Sequence, residues 1–394
     1  MTVPERTASG ERPPTDGDPT YRIEKRRALM QEDSPRIVRR AFVSICLTWL
    51  VLLALAAFQG FAVGHRVPVP FLRDIAVHTR FLLAVPLLLL AENIVGPRLA
   101  HAAAHFISSG VVIDEDFSKF DSAVARALAL FDSTLVRFIF VVLAYAVSGL
   151  TVWSTSVHVS TWSVLRTGGD LSLTWAGWWL MLFCIPLFQY MTLRWLWILF
   201  LWGQFLWRMS NLNLQLVPIH PDEAGGLGFV GEAQRYFGII VVAYSLVVAG
   251  VLANTVLYDK LPLAQFAGEI AAYAVCAVLF ILAPLCVFTP ILWETKTTGM
   301  SSYGILADEY TRSFHQKWIV GPRAGEEPLL GTADIQSLAD LGNSFAFVDK
   351  MNLLPIGSRV PVHLALASLI PMAPLLLTVM PLNDILKRLF DTVL

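Results

Sequence analysis

A carboxylate and a guanidinium stand where an apolar chain least tolerates charge. Glu92 closes the run at residues 87–91 with Asn93 beside it, and Arg194 interrupts a later apolar run. An ionisable group near the centre of a bilayer costs about 2.5–3.5 kcal/mol or more, so such residues face the bundle interior, pair, and mark ion or substrate paths. Both fall in the same half of their spans and can pair. Arg137 and Glu294 lie at that level too. A long arginine stem can also reach the headgroups unaided, which is harder for the shorter Glu92.

A second concentration of chemistry is HPDEAGGLGFVG, residues 220–231. His220, Asp222 and Glu223 could relay a proton or act as acid, base or ligand. Gly226, Gly228 and Gly231 spell G-x-G-x-x-G, but dinucleotide binding needs a preceding strand and a βαβ unit, and here an apolar span follows. Gly225, Gly226, Gly228 and Gly231 instead let backbone approach closely, against a neighbouring helix or around an anion at the next helix N-terminus. His101 and His105 share a helical face without an evident third ligand. The sequence contains no H-E-x-x-H, Walker A or G-x-S-x-G pattern, and no metal or cofactor is expected.

The elements that must position these residues are membrane helices. The 394-residue chain is 56% hydrophobic and 15% charged. That is far from the composition of a soluble domain. Apolar runs lie near 41–64, 80–99, 133–156, 174–200, 236–257, 267–293 and 361–381. Each suffices to cross about 30 Å of hydrocarbon as a helix. The expected fold is an all-α polytopic transmembrane bundle of about seven spans with cytoplasmic amphipathic helices. Lys plus Arg number 20 on the side holding residues 1–40, 97–132, 205–236 and 294–360. The side holding 64–80, 157–173, 258–266 and 382–394 has 7, which puts the N-terminus in the cytoplasm and the C-terminus outside.

Residues 1–34 are expected to form a disordered, basic tail, with Ser34-Pro35 starting the first helix. Residues 35–293 hold six spans, with a cytoplasmic loop at 210–232. Residues 294–360 form two helices beneath the membrane, one on the stripe Tyr303, Leu306, Tyr310, Phe314, Trp318 and one after a Thr332 cap. Residues 361–394 add the seventh span and an amphipathic tail. Phe117, Phe120, Val124, Leu128 and Phe131 form a further amphipathic stripe, capped by Asp114 or Asp121. Trp153, Trp162, Trp175, Trp178 and Trp179 are expected as interfacial anchors. The four cysteines are read as small buried hydrophobes, and Pro186, Pro284 and Pro290 as kinks.

HPDEAGGLGFVG together with LLGTADIQSLADLGNSF (329–345) resembles a family of bacterial multi-pass inner-membrane proteins marked by an HPDxAGGLGF-type loop and a DIQSLADLGNSF-type segment. The likeness runs from about the second to the seventh span. It implies a bacterial inner-membrane location and carries over no activity, substrate or catalytic residue. Partners expected from the residues are membrane lipids and a protein partner or a second copy, not nucleic acid. The expected arrangement places the 220–231 loop over a cluster containing Glu92 and Arg194, in a transporter or channel for an ion or small solute. The alternatives are a membrane-embedded enzyme using His220, Asp222 and Glu223, and a sensor or scaffold presenting Asp334, Gln336, Ser337, Asp340 and Asn343.

Overall fold

A computed structural model describes residues 34–154, 161–167, 170–320 and 333–378. The tail before residue 34, the Thr332 cap and the amphipathic segment at 382–394 lie outside the described residues. The protein is an all-α polytopic helical bundle. Six helices are long and apolar enough to cross a membrane: α1 (Ile37–Phe58), α2 (Ile75–Ser108), α5 (Trp175–Ser210), α6 (Gly228–Tyr258), α7 (Leu263–Val320) and α9 (Arg359–Leu377). A seventh is reached by counting α3 (Phe117–Asp132) with α4 (Thr134–Ser154), which bend by 46° at Ser133. Each apolar run read from the sequence therefore has its helix. α8 (Ala333–Lys350) is the remaining long helix among the described residues. A two-stranded hairpin, β1 (Val164–Thr167) with β2 (Asp170–Leu173), closes the α4–α5 connection.

Proline chemistry shapes the spans. Pro86 and Pro186 each lack an N–H and would crowd the preceding turn. Each follows a widened π turn, Thr79–Ala84 in α2 and Leu180–Cys184 in α5. α5 thus stays one element past Pro186. In α7, Pro284 falls in a tight turn, Ala283–Phe288, where its missing N–H would have met the Ile281 carbonyl. The side chain of Gln234 in α6 donates to that carbonyl and accepts from Trp202 Nε1 at 2.8 Å, so one fully buried amide ties α5, α6 and α7 together.

Close helix approach depends on glycine. A Cβ on Gly250 of α6 would meet Thr79 Oγ1 and lie 3.0 Å from Ala76 Cα in α2, and one on Gly231 would collide with the Pro355 carbonyl. α6 is accordingly the central helix: it packs along α2 and α9 and meets α7 through Gln234 and a Ser245–Tyr273 hydroxyl contact of 3.1 Å. By contrast, α4 leans mainly on α5. Successive spans alternate in direction, so the bundle has a loop face, holding residues 211–227, and a hairpin face opposite.

Several expectations change. Residues 294–320 continue α7 without a break at 293/294, because nothing in 294–302 stops a helix: Gly299 is used to approach Pro218 and Val348. α7 has 58 residues. It is therefore roughly 87 Å long and projects far beyond the loop face. The projection packs on α8, where Asp334 Oδ2 takes Lys317 Nζ at 2.8 Å and Trp318 Nε1 at 3.0 Å. The Lys317 bond, then the Trp318 bond, hold the Asp334 carboxyl below its ordinary pKa. α3 is capped by neither Asp114, which lies in a preceding turn, nor Asp121, which lies inside the helix. Asp116 at that end instead binds Lys119 at 2.7 Å and the Asn213 N–H at 2.9 Å, pinning the loop segment to α3. Trp162 is no interfacial anchor: it is 1% exposed, and its Nε1 donates to Asp74 Oδ2 at 2.8 Å. Trp175 and Trp178 are exposed as anchors would be, and the side chain of Trp153 lies outside the described residues. Of the four cysteines only Cys184 is buried, whereas Cys276 and Cys286 face outward on α7.

Candidate functional site

The loop half of the bundle holds a cavity of about 290 Å³ between α1, α2, α3 and α5. Its room comes from small residues on one face of α2, Gly96, Ala100 and Ala103, opposite Val124, Leu128 and Phe131 of the α3 stripe. Trp195 and Trp202 of α5 close the third side. Their indole N–H groups are taken by the Leu88 carbonyl at 3.1 Å and by Gln234, so they offer the cavity apolar faces only.

Three charges and one amide line this space. Arg194 Nη2 reaches Glu92 Oε2 at 3.1 Å, with side chains 35% and 23% exposed, and the guanidinium lies 5.8 Å from the Phe131 ring centroid. α2 and α5 run in the same direction, which brings the two residues level. Arg40 of α1 also lines the cavity and acts through space on Glu92, without an ion partner among the described residues. Asn93 is half-buried beside them, and its side chain makes no hydrogen bond among the described residues. Pro97, inside α2, cannot donate to the Asn93 carbonyl, leaving one backbone acceptor at the same level.

No family model, curated protein or solved structure matches the chain. The site's chemistry therefore rests on its own residues.

His220, Asp222 and Glu223 stand elsewhere on the loop face and do not line this cavity. Asp222 Oδ1 accepts from the Ala224 N–H at 2.9 Å and the Gly226 N–H at 3.1 Å, while Oδ2 accepts from the Gly228 N–H at 2.8 Å. The position that an anion would take at the α6 N-terminus is thus filled by the chain's own carboxylate. Burial acts to raise the Asp222 pKa, but the N–H groups of Gly228, Ala224 and Gly226 and the His220 ring outweigh it and hold it low. His220 Nδ1 lies 2.7 Å from Asp222 Oδ1, which orients the ring in the way a general base is oriented.

The glycines serve this geometry. Gly225 and Gly226 are left-handed, at φ 66° and 99°, and Glu223 adopts φ 54°. A positive φ is unusual for a residue that bears a side chain. The Glu223 carbonyl accepts from the Asn352 N–H at 2.7 Å, fastening the loop to the segment after α8. Gly228 leaves space for Asp222, and Gly231 admits Pro355. His101 and His105 have ring centroids 6.2 Å apart, and His105 packs edge-on against Phe229 at 4.5 Å. Arg137 faces Asp132 at 3.5 Å, and Glu294 is exposed.

Sequence reasoning missed Arg40, the Gly96 face and a polar cluster at the hairpin face. In that cluster Asp74 Oδ1 accepts from Asn254 Nδ2 at 2.7 Å, and Arg80 stands 5.6 Å from the Phe188 ring centroid. Counting by sequence leaves Arg80 in the 64–80 loop, but α2 begins at Ile75, so this arginine lies inside the span. The rule that singles out Glu92 finds Arg80 as well once it is applied there.

Proposed function

We propose that this integral membrane protein is a transporter or channel for an ion or small solute, with its binding site in the Glu92–Arg194 cavity. One observation carries the reading: a charge pair between two spanning helices opens onto a cavity that also holds Arg40 and the Asn93 amide, which makes no hydrogen bond among the described residues. Charge held inside a spanning bundle at this cost is characteristic of substrate and ion paths. The widened turns before Pro86 and Pro186 and the tight turn at Pro284 are places where helices around such a path can flex. The test is flux. Liposomes containing the purified protein should dissipate imposed proton, chloride or acetate gradients faster than empty vesicles, and Glu92→Gln and Arg194→Gln should alter the rate. Vesicles that behave like empty ones, or variants that behave like the wild type, remove this assignment.

The Lys and Arg excess supports a cytoplasmic loop face and an external hairpin face, and the resemblance carried by residues 220–231 and 329–345 supports a bacterial inner-membrane location. A cysteine placed at Ser344 of α8, in a background lacking native cysteines, should react with an impermeant maleimide only after cells are opened. Labelling in intact cells reverses the orientation.

The His220–Asp222 contact of 2.7 Å supports a second reading, a loop-face enzyme. Candidate hydrolase substrates turned over by the wild type and not by His220→Ala would favour it. Equal turnover would remove His220 from that role.

A further inference from the structure

We infer that the cavity between α1, α2, α3 and α5 binds a single-chain amphiphile with an anionic head, its head at Arg40 and Asn93 and its chain along the α2–α3 wall. The inference builds on the transport reading of the same cavity, but its test reads binding alone.

Charge sets the sign of the ligand. The lining holds two guanidiniums and one carboxylate. Glu92 is engaged by Arg194 at 3.1 Å, so among the described residues the cation without a contact ion partner is Arg40, with the Asn93 amide beside the pair as a further donor. A carboxylate or phosphate head satisfies both: guanidinium forks match two-oxygen anions, and charge-assisted hydrogen bonds are the stronger kind. The Asn93 carbonyl released by Pro97 carries only a partial charge and does not reverse this balance.

The walls set the tail. Beyond the charged end the lining is Gly96, Ala100 and Ala103 on one side and Val124, Leu128 and Phe131 on the other, and the two tryptophans present apolar faces. A fully polar anion would leave this surface facing water, whereas an alkyl chain covers it at about 25 cal/mol per Å². The cavity volume is about 290 Å³. That is at the foot of the range for small-molecule pockets, roughly 300–1,000 Å³, and it accommodates one chain and not the two of a phospholipid. Arg40 is exposed at the end of α1, so the head end opens outward.

The test uses the full-length protein in phosphatidylcholine nanodiscs, with Trp195 and Trp202 as reporters; quenching at the cavity is the part reversed by excess unbrominated probe, since bilayer quenching of the exposed tryptophans is not competed. Bromine-labelled dodecanoate, dodecanol and dodecyl-trimethylammonium are compared as quenchers of tryptophan fluorescence. Dodecanoate should bind about tenfold or more tightly than the alcohol, the size of one charge-assisted hydrogen bond. Arg40→Gln should remove that preference. Glu92→Gln should tighten dodecanoate several-fold, because it deletes the like charge, and Ala100→Phe should weaken every probe by filling the cavity. Equal binding of acid and alcohol, preference for the cation, or a preference surviving Arg40→Gln overturns the inference. Arg40 is on the surface, so its variant carries the test even where Ala100→Phe does not fold. If vesicles hold their gradients while the nanodisc order stands, the transport reading fails and this one survives.

Discussion

Arg194 Nη2 and Glu92 Oε2, on parallel helices and 102 residues apart in sequence, meet at 3.1 Å within the spanning bundle. Neither side chain is fully buried, so solvent weakens the pair below the value of a sealed ion pair. Glu92→Gln and Arg194→Gln should each lower stability by about 1–2 kcal/mol, and the double variant should lose less than the sum of the two. Thermal unfolding of the four proteins in detergent reads the coupling. Strictly additive losses would show that the contact contributes nothing.

The buried amide of Gln234 should be among the most sensitive single positions. Gln234→Leu leaves Trp202 Nε1 and the Ile281 carbonyl without their partner. The cost should be about 2–4 kcal/mol. Returning an N–H with Pro284→Ala should soften that loss in the double variant. A Gln234→Leu protein melting with the wild type would mean that the bridge is dispensable.

Two alanines separate close approach from helix propensity. Gly231→Ala drives a methyl into the Pro355 carbonyl and the Ile356 backbone. It should lower stability by about 2 kcal/mol or more. Gly342→Ala in α8 meets nothing within 4 Å. It should stabilise by roughly 0.5–1 kcal/mol, the ordinary helical gain over glycine. Matching melting temperatures for the two variants would contradict the Gly231 contact.

The 220–231 loop should be acid-labile. The Asp222 pKa is held below its ordinary value of 3.8, so its carboxylate contributes stability that is fully present above that value. As pH falls through the lowered folded-state value, the contribution is lost. Amide exchange at Ala224, Gly226 and Gly228 should accelerate there, and Asp222→Ala should show the fast exchange already at neutral pH, with a loss of about 2 kcal/mol or more. Slow exchange in Asp222→Ala would mean that the carboxylate does not hold the loop.

Local chemistry in the sequence determined the number and position of the spans, because about twenty apolar residues in a row have few other solutions. It also marked Glu92 and Arg194, since a charge in such a run is conspicuous wherever it points. Rotation of each helix about its axis was not legible. Core and lipid are equally apolar, so the 3.6-residue signal that separates inside from outside in a soluble helix fades. Outward-facing Cys276 and Cys286 show the consequence. Tertiary structure alone decided that α2 and α5 run in parallel and bring Glu92 to Arg194. It alone put Arg40 and the small face of Gly96, Ala100 and Ala103 beside them, and it seated Asp222 at the α6 N-terminus, away from that cavity. These are contacts between distant segments, set by how packed surfaces fit, and no window of neighbouring residues contains them.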